Sequence, residues 1–583
     1  MRYSRFILIS ILWLIITACA NDKEFTVGGQ VNGLNGIVVL QNNGGDDLVI
    51  STNGPFTFAT KMKSSSTYSV SVLSKPDGQV CTVANGNGII HLANVTDVSV
   101  NCTRQGFVVH DNAAGGTNDD FGNSLAIDND GKVLVTGYSV NSAGNRDMAI
   151  WRYNANETLD TTFGGDFNPA DSIPDGFVVH DNAAAGDGYG NDVGLAIVID
   201  NNGKIVVTGY SERSYTLPDM VIWRYNANGT LDSTFGGDIN PQDGIPDGFI
   251  VFDHEWSWIE NGGYGIVIDN NGNILVTGFF DSGNPIIDMV IWRYTADGVL
   301  DRTFGADVYP ADGTPDGFVT HHNAAGGLSV DNGFAIALDL NGKIVVTGSS
   351  FNKSGDRDMV VWRYNSNGTL DTTFGGDVRP VDGVPDGFVV HDNAAGGWVM
   401  QLNDVGRSLV VDKNNRILVA GASNPYPILS TFYDMVIWRY TEDGTLDTTF
   451  GGDVNPADGI PDGFVVQGHE TGVVWFHNFG NSIKLDSNDK ILVSGDLPNS
   501  SFNNDMAIWR FNENGSLDTT FGEDLNPVDG TPDGFIMHHD AAGGGGDDSG
   551  KSLTLDSDGN ILVTGGSMNS SGNEDMVIWR YIP

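Results

Sequence analysis

The chain has 583 residues and a formal net charge of −45, from 29 Lys and Arg against 74 Asp and Glu. That length exceeds what one ordinary core supports and calls for several domains or a repeat array. The acidity argues against nucleic acid and anionic membrane surfaces as partners, because both are bound through Lys and Arg. The 78 glycines and 10% aromatic residues fit a turn-rich all-β chain and exclude disorder.

The first element is a targeting segment. Arg2 and Arg5 precede an apolar run from Phe6 to Ile16 that is too short to span a bilayer. The run closes on ITAC, Ile16 to Cys19. This resembles the lipobox of bacterial lipoproteins. The resemblance implies residues 1–19 as a lipoprotein signal peptide with Cys19 acylated, and Ala20, standing where an Asp would retain the protein, implies sorting to the outer membrane or cell surface. A plain secretory signal is the other reading. Either way the rest is expected to be exported, touching membrane only through a lipid anchor.

Residues 20–104 read as a small domain of short alternating strands: FTVGGQV, IVVLQNN, PFTFAT, TYSVSVLS and VTDVSVNC, with Gly, Asn and Pro between them. Period-two patterning of this kind predicts a small antiparallel, Ig-like sandwich. Cys81 and Cys102 are expected to pair as a disulfide in an oxidising compartment, since two cysteines with no neighbouring His do not make a zinc site. The stretch SVLSKPDGQVCTVANGNG to VTDVSVNC resembles a Cys-paired sandwich module of exported bacterial proteins, and the resemblance implies a stalk without activity.

Residues 105–583 repeat. The string DM(A/V)(I/V)WR(Y/F) starts at Asp147, Asp219, Asp288, Asp358, Asp434, Asp505 and Asp575, about every 70 residues. A period this long suits about four strands, as in a propeller blade. In the first copy the strands read SLAID (124–128), KVLVTGY (132–138), DMAIWRY (147–153) and GFVVH (176–180). The turn between the first two ends on Gly131, Gly203, Gly272, Gly342, Asn415, Asp489 or Gly559. These residue types tolerate φ > 0 best, as a tight hairpin demands. Strands apolar on both faces, such as KILVTG and MVIWRY, need a neighbour on each side. The Arg in each WR pair (Arg152 and its equivalents) is expected to form a structural ion pair between blades, with the Asp of the following LD (Asp160, Asp232) as its candidate partner.

The motifs GK(I/V)(L/V)V(T/A)G and RYN-x-(N/D)-G-(T/S)-LD-x-TFG, running from residue 106 to 583, resemble the delta-60 repeats of bacterial exported proteins. That resemblance implies a propeller and no enzymatic activity. The added NPADGIPDGF insert is a departure from it. The chain holds seven hairpins, seven WR(Y/F) strands and seven GF strands but six LD-x-TFG connectors. This count predicts a seven-bladed propeller closed by GFVVH at Gly106–His110, pairing with the strand that ends the chain.

Three features could carry chemistry. The inserts offer four oxygen-bearing sets: Asp166, Asn168, Asp171 and Asp175; Asp238, Asn240, Asp243 and Asp247; Asp453, Asn455, Asp458 and Asp462; Asp524, Asn526, Asp529 and Asp533. Such spacing can wrap Ca²⁺, the one cofactor considered, although it misses the EF-hand pattern and two copies carry Tyr309 or Arg379 in place of Asn. An Asx-rich turn is the other reading. Second, His–Asp or His–His pairs recur at His110, His180, His321, His391 and His538. One pair per blade without a nucleophile points to loop structure. Third, irregular aromatic segments fall on one loop face, with Trp256, Trp258, Trp398, Tyr426, Tyr433, Trp475 and Phe476 as a candidate binding surface, unless the rings plug the blades locally.

P-loop, GxSxG, HExxH and sialidase Asp-box signatures are missing from the sequence. The function expected is therefore a monomeric, lipid-anchored, extracytoplasmic propeller that binds a protein or glycan through one loop face. A propeller enzyme acting on polysaccharide and a purely structural surface protein are the alternatives.

Overall fold

The structure, a computed structural model, describes residues 23–582 except 35, 76–78, 105, 167–172, 185–189, 214–216, 239–244, 253–259, 282–286, 308–312, 378–383, 396–402, 425–432, 454–459, 469–477, 500, 502 and 523–531. The described residues are all-β and contain no helix. They form two compact units. One runs to Phe107 and takes in Arg580–Ile582, and the other is Val108–Trp579.

The first unit holds two four-stranded sheets. One has the order Gly54–Thr57, Val27–Asn32, Val95–Arg104, Gln79–Ala84; the other has Gly45–Ile50, Val38–Asn42, Thr67–Ser74, Asn87–Ile89. Alternate residues point inward, so Val27, Val31, Leu40, Tyr68, Val70, Val98 and Val100 share a buried core. Cys81 and Cys102 stand opposite each other in adjacent antiparallel strands and are joined by a disulfide. The sequence pattern predicted a wholly antiparallel sandwich, and the structure departs from this in one pair. Val27–Asn32 and Val95–Arg104 run parallel, the rest of the unit supplying the long crossover that a parallel pair needs.

The second unit is a succession of four-stranded antiparallel sheets, two of them joined through a single parallel pair, Ile287 with Val330. In the first, Gly115–Ile127, Val133–Asn141, Arg146–Tyr153 and Phe177–His180 pair in that order. The pattern recurs through Phe249–Phe252, Phe318–His321, Phe388–His391, Phe464–Gln467 and Phe535–His538 as outermost strands. The last sheet has the order Gly106–His110, Glu574–Tyr581, Ile561–Asn569, Gly543–Leu555. The hairpin turns have the geometry their residues demand: φ is positive at Gly131, Gly203, Gly272, Gly342, Asn415, Asp489 and Gly559. The Asp opening each turn locks it, as where Asp128 Oδ1 accepts the amides of Asp130 and Lys132, both at 2.9 Å.

The two middle strands are buried on both faces because each sheet packs on its neighbours. Met148, Ile150 and Phe163 of one repeat share a core with Val207, Val221 and Trp223 of the next, and the same junction recurs along the unit. Residues near both ends of the unit meet likewise: Val108, Leu125, Val135 and Trp151 pack with Leu562, Met576 and Ile578.

The recurrent Arg corrects one expectation. Its ion pair lies within a repeat, Arg152 Nε to Asp160 Oδ2 at 2.7 Å and Arg363 Nε to Asp371 Oδ2 at 2.7 Å. The link to the next repeat is a hydrogen bond from Nη1 to a backbone carbonyl, that of Ala227 for Arg152 and of Glu442 for Arg363. The guanidinium also lies 4.4 Å from the Phe163 or Phe374 ring. One side chain thus saturates its fork across two repeats, which makes a buried cation affordable. Burial would raise the Asp371 carboxyl, but Lys343, Thr373 and Arg363 bring it down to about 2.

Candidate binding cavity

The His-containing loops are structural. His391 stacks edge-on against Trp438 and Phe464, at 5.9 and 5.2 Å. His110 and His180 do the same with Trp151 and Trp223, and their Nδ1 atoms lie 3.2 Å from Tyr153 and Tyr225 hydroxyls. Burial pushes the imidazoles of His110, His180, His321, His391 and His538 down to about 4, so they are neutral wedges between repeats. The residue two after each adopts φ > 0 (Asn112, Asn182, Asn323, Asn393, Asp540). A buried carboxylate ties each loop down: Asp120 accepts the Asn112 amide at 2.6 Å and Asp192 the Asn182 amide at 2.7 Å. Burial raises Asp120 to about 7 and Asp192 to about 6.

The proposed calcium sets lie partly outside the described residues: Asn168, Asp171, Asn240, Asp243, Asn455, Asp458, Asp524, Asn526 and Asp529 are there. Of the remainder, Asp175, Asp247 and Asp462 donate their amides to the carbonyls of Gly165, Gly237 and Gly452, each at 2.9 Å. Asp166, Asp238, Asp453 and Asp533 are also described. Among the described residues no group of three or more His, Cys, Asp or Glu is placed to hold a metal. Cys19 and the aromatic candidates Trp256, Trp258, Trp398, Tyr426, Trp475 and Phe476 also lie outside the described residues. Tyr433 is described, and it leads to the site.

Each innermost strand carries one extra residue. Gly122 pairs with Gly137 and Ser124 with Thr136, so Asn123 has no cross-strand partner and forms a bulge. The same skip isolates Leu195, Tyr264, Phe334, Arg407, Asn481 and Lys551. The glycine before each bulge allows it. A Cβ on Gly122 would lie 2.3 Å from Thr564 Oγ1, and one on Gly194 would lie 2.2 Å from Thr136 Oγ1, on the neighbouring sheet.

All seven bulge residues line a single cavity of about 380 Å³, joined by Arg357 and Tyr433 from the starts of third strands. A cavity of this size falls in the small-molecule range of ~300–1,000 Å³. Its lining is lopsided. Leu195, Tyr264 and Phe334 form an apolar wall, with the Tyr264 and Phe334 rings 5.4 Å apart. Arg357, Arg407 and Lys551 bring three cations, and among the described residues no Asp or Glu lines the cavity. Arg407 lies 4.3 Å from the Phe479 ring and donates to Asn481 Oδ1 at 2.7 Å. Behind the wall, Asp496 lies 3.5 Å from Lys551 Nζ and accepts from Ser549 Oγ at 2.7 Å. Burial pushes the Arg407 guanidinium down, against the pull of Asp496. Burial raises the Tyr264 phenol to about 12.

The sequence reading missed the bulge positions. Aligning the repeats on the glycine and reading the next column, N, L, Y, F, R, N, K, would have found them. A Gly before this column and a small residue after it recur in all seven copies, Gly122 and Ser124 in the first.

Six segments of the chain, residues 129–163, 201–235, 270–304, 340–374, 413–450 and 487–521, match a family model described as a domain of unknown function (DUF5122) beta-propeller. Each runs from the hairpin turn through the third strand to the Phe that packs under the recurrent Arg. The chain is thus a β-propeller repeat protein. No curated protein matches its sequence. Among solved structures it is similar to a protein of unknown function from Dyadobacter fermentans DSM 18053 at 9% identity, covering 82% of this chain and 99% of that one, TM-score 0.35. It is also similar to an ulvan lyase of polysaccharide lyase family PL25, at 12% identity, 80% and 94% coverage and TM-score 0.40. A Trypanosoma rangeli sialidase aligns at 8% identity, 82% and 58% coverage and TM-score 0.32. Likenesses this distant carry nothing about activity.

Proposed function

We propose that this chain is an exported binding protein, anchored through acylated Cys19 and acting without catalysis on a protein or glycan partner. In this reading residues 1–19 are the signal, 20–104 a sandwich stalk, and 105–583 a seven-bladed propeller closed by the strand Gly106–His110. The sheet order beside Glu574–Tyr581 and the core shared by Trp151 and Met576 support the closure.

The observation that carries the reading is the set of bulge residues. The junction residues recur from repeat to repeat, whereas the bulge column differs from each repeat to the next and all seven of its side chains line the cavity, which is where a binder places its specificity. The cavity also lies at the end of the strands from which the irregular segments 253–259, 396–402, 425–432 and 469–477 depart. Binding is favoured over glycoside hydrolysis because that chemistry uses a pair of carboxyl groups, and among the described residues the lining is of cations, carboxamides and apolar side chains.

A glycan and matrix-protein array probed with the purified chain tests the reading. Parent protein should give discrete hits that Trp256→Ala or Trp398→Ala weakens. An array without hits removes the binding role and leaves the scaffold alternative. Retention of the Cys19→Ala variant in the membrane fraction would remove the lipid anchor.

A further inference from the structure

We infer that the cavity takes an acidic sugar unit, its carboxylate or sulfate held by Arg357, Arg407 and Lys551 and its ring face laid on Tyr264 and Phe334. The inference rests on the binding reading above and narrows it to a ligand class.

Three observations carry it. The first is charge. On a chain of net charge −45, the cavity gathers three cations and, among the described residues, no lining carboxylate. Asp496 offsets part of this beside Lys551 and Arg407. Among the described residues no carboxylate pairs with Arg357, whose guanidinium lies 5.1 Å from the Phe351 ring. An acidic protein that keeps such a cation facing a cavity has a local field opposite to its overall field, and this selects anions. Two guanidinium forks match the geometry of carboxylate and sulfate oxygens.

The second observation is shape and polarity. Leu195, Tyr264 and Phe334 come from three consecutive repeats, Arg357 comes from the same repeat as Phe334, and Arg407, Asn481, Lys551 and Asn123 follow in order from the rest. A ligand that fits both sides has a flat C–H face and an edge of hydroxyls and charge. An acidic pyranose has this construction, with Asn123, whose nitrogen donates to the Gly194 carbonyl at 2.9 Å, offering its Oδ1 to a hydroxyl. A simple inorganic anion would leave the aromatic wall unused, and a neutral sugar would leave the cations uncompensated.

The third observation is rigidity. Bulge residues are displayed from paired strands, and Arg407 is held from both sides by Phe479 and Asn481. The donors are thus positioned before any ligand arrives, which limits the ordering cost of binding.

Calorimetric titration of the purified full chain tests this with three oligosaccharides of equal length: an oligogalacturonate, a sulfated oligosaccharide and a neutral cello-oligosaccharide. At least one acidic ligand should bind tenfold or more tighter than the neutral one, and added salt should weaken it. The first two arms separate carboxylate from sulfate recognition. Arg357→Gln and, independently, Lys551→Gln should each weaken the acidic ligand about tenfold, with the melting temperature held. Equal affinity for the neutral ligand, no affinity for either acidic one, or acidic binding that survives both substitutions would overturn the inference. If the array gives hits that fall with Trp398→Ala but survive Arg357→Gln, the inference fails while the broader binding role stands. An array with no hits at all sinks the role itself.

Discussion

The sheet junctions and the bulge residues of the same repeats follow opposite rules. At the junctions the same side chains recur: Trp223, Trp292 and Trp362 are fully buried, and Arg224, Arg293 and Arg363 each pair with an Asp eight residues on. At the bulges, a few residues from these, no side chain repeats between neighbouring sheets: Leu195, Tyr264 and Phe334 follow one another. A junction side chain must fit the side chains of the adjoining sheet, as Met148 and Phe163 fit Val221 and Trp223, so it is not free to vary alone. A bulge side chain faces a cavity and has no such partner to satisfy. The repeat therefore separates what folds the unit from what distinguishes its interior surface.

The largest effect expected is at a junction. Trp362→Ala should cost about 3–5 kcal/mol, because the ring is fully buried against the neighbouring sheet. Thermal melting would show it as a large drop or as loss of soluble protein, and a drop no greater than that of Phe334→Ala would break the contrast. The next concerns the first unit. Replacing Cys81 and Cys102 with Ala removes the link across 21 residues of sequence and should cost about 3 kcal/mol on the chain-entropy view. Calorimetry should show the sandwich transition moving down while that of the repeats stays.

A smaller effect depends on pH. His391 is held neutral by burial, with a folded value of about 4 against 6.5 when unfolded. Its neutral form is fully compatible with the fold above 6.5, and stability is lost as pH falls from 6.5 towards 4. The second repeat already uses Phe252 at this place, against Trp292 and Phe318 of the third. His391→Phe should therefore raise the melting temperature more at pH 4.5 than at pH 8, by about 1–3 °C. An equal shift at both pH values would mean that ring shape, not charge, sets the junction. The smallest effect expected is that of calcium. If the inserts are Asx turns, EDTA and added Ca²⁺ leave the melting temperature within about 1 °C, and a rise of several degrees with Ca²⁺ would assign them a metal instead.

Much of the fold was legible where one residue type has one physical reason to be present. Asn415 and Asp489 could replace Gly in the hairpin turns because they also accept positive φ. The strand cores showed through their apolar runs, and Cys81 with Cys102 through their isolation. The innermost strand was read only from Ser124, whereas it begins at Gly115, because GGTNDDFGN carries no apolar period. Gly45–Ile50 was missed for a similar reason, its two Asp lying on an edge strand. Periodicity is also silent on which strands become neighbours, hence the unforeseen parallel pair in the sandwich. The cavity was the least legible feature. A bulge residue is defined by a skipped cross-strand partner, which does not exist until the strands pair. His beside Asp read as loop structure, but its packing against a Trp of another repeat could not be read from the sequence.

One measurement tests the separation of folding from recognition most directly. Asn already occupies two bulges, at 123 and 481, so Leu195→Asn, Tyr264→Asn, Phe334→Asn, Arg407→Asn and Lys551→Asn combined would make all seven alike. The account predicts a cooperatively folded protein, melting within about 5 °C of the parent, that no longer binds the partners found for the parent. A chain that fails to fold, or one that folds and binds as before, would contradict it.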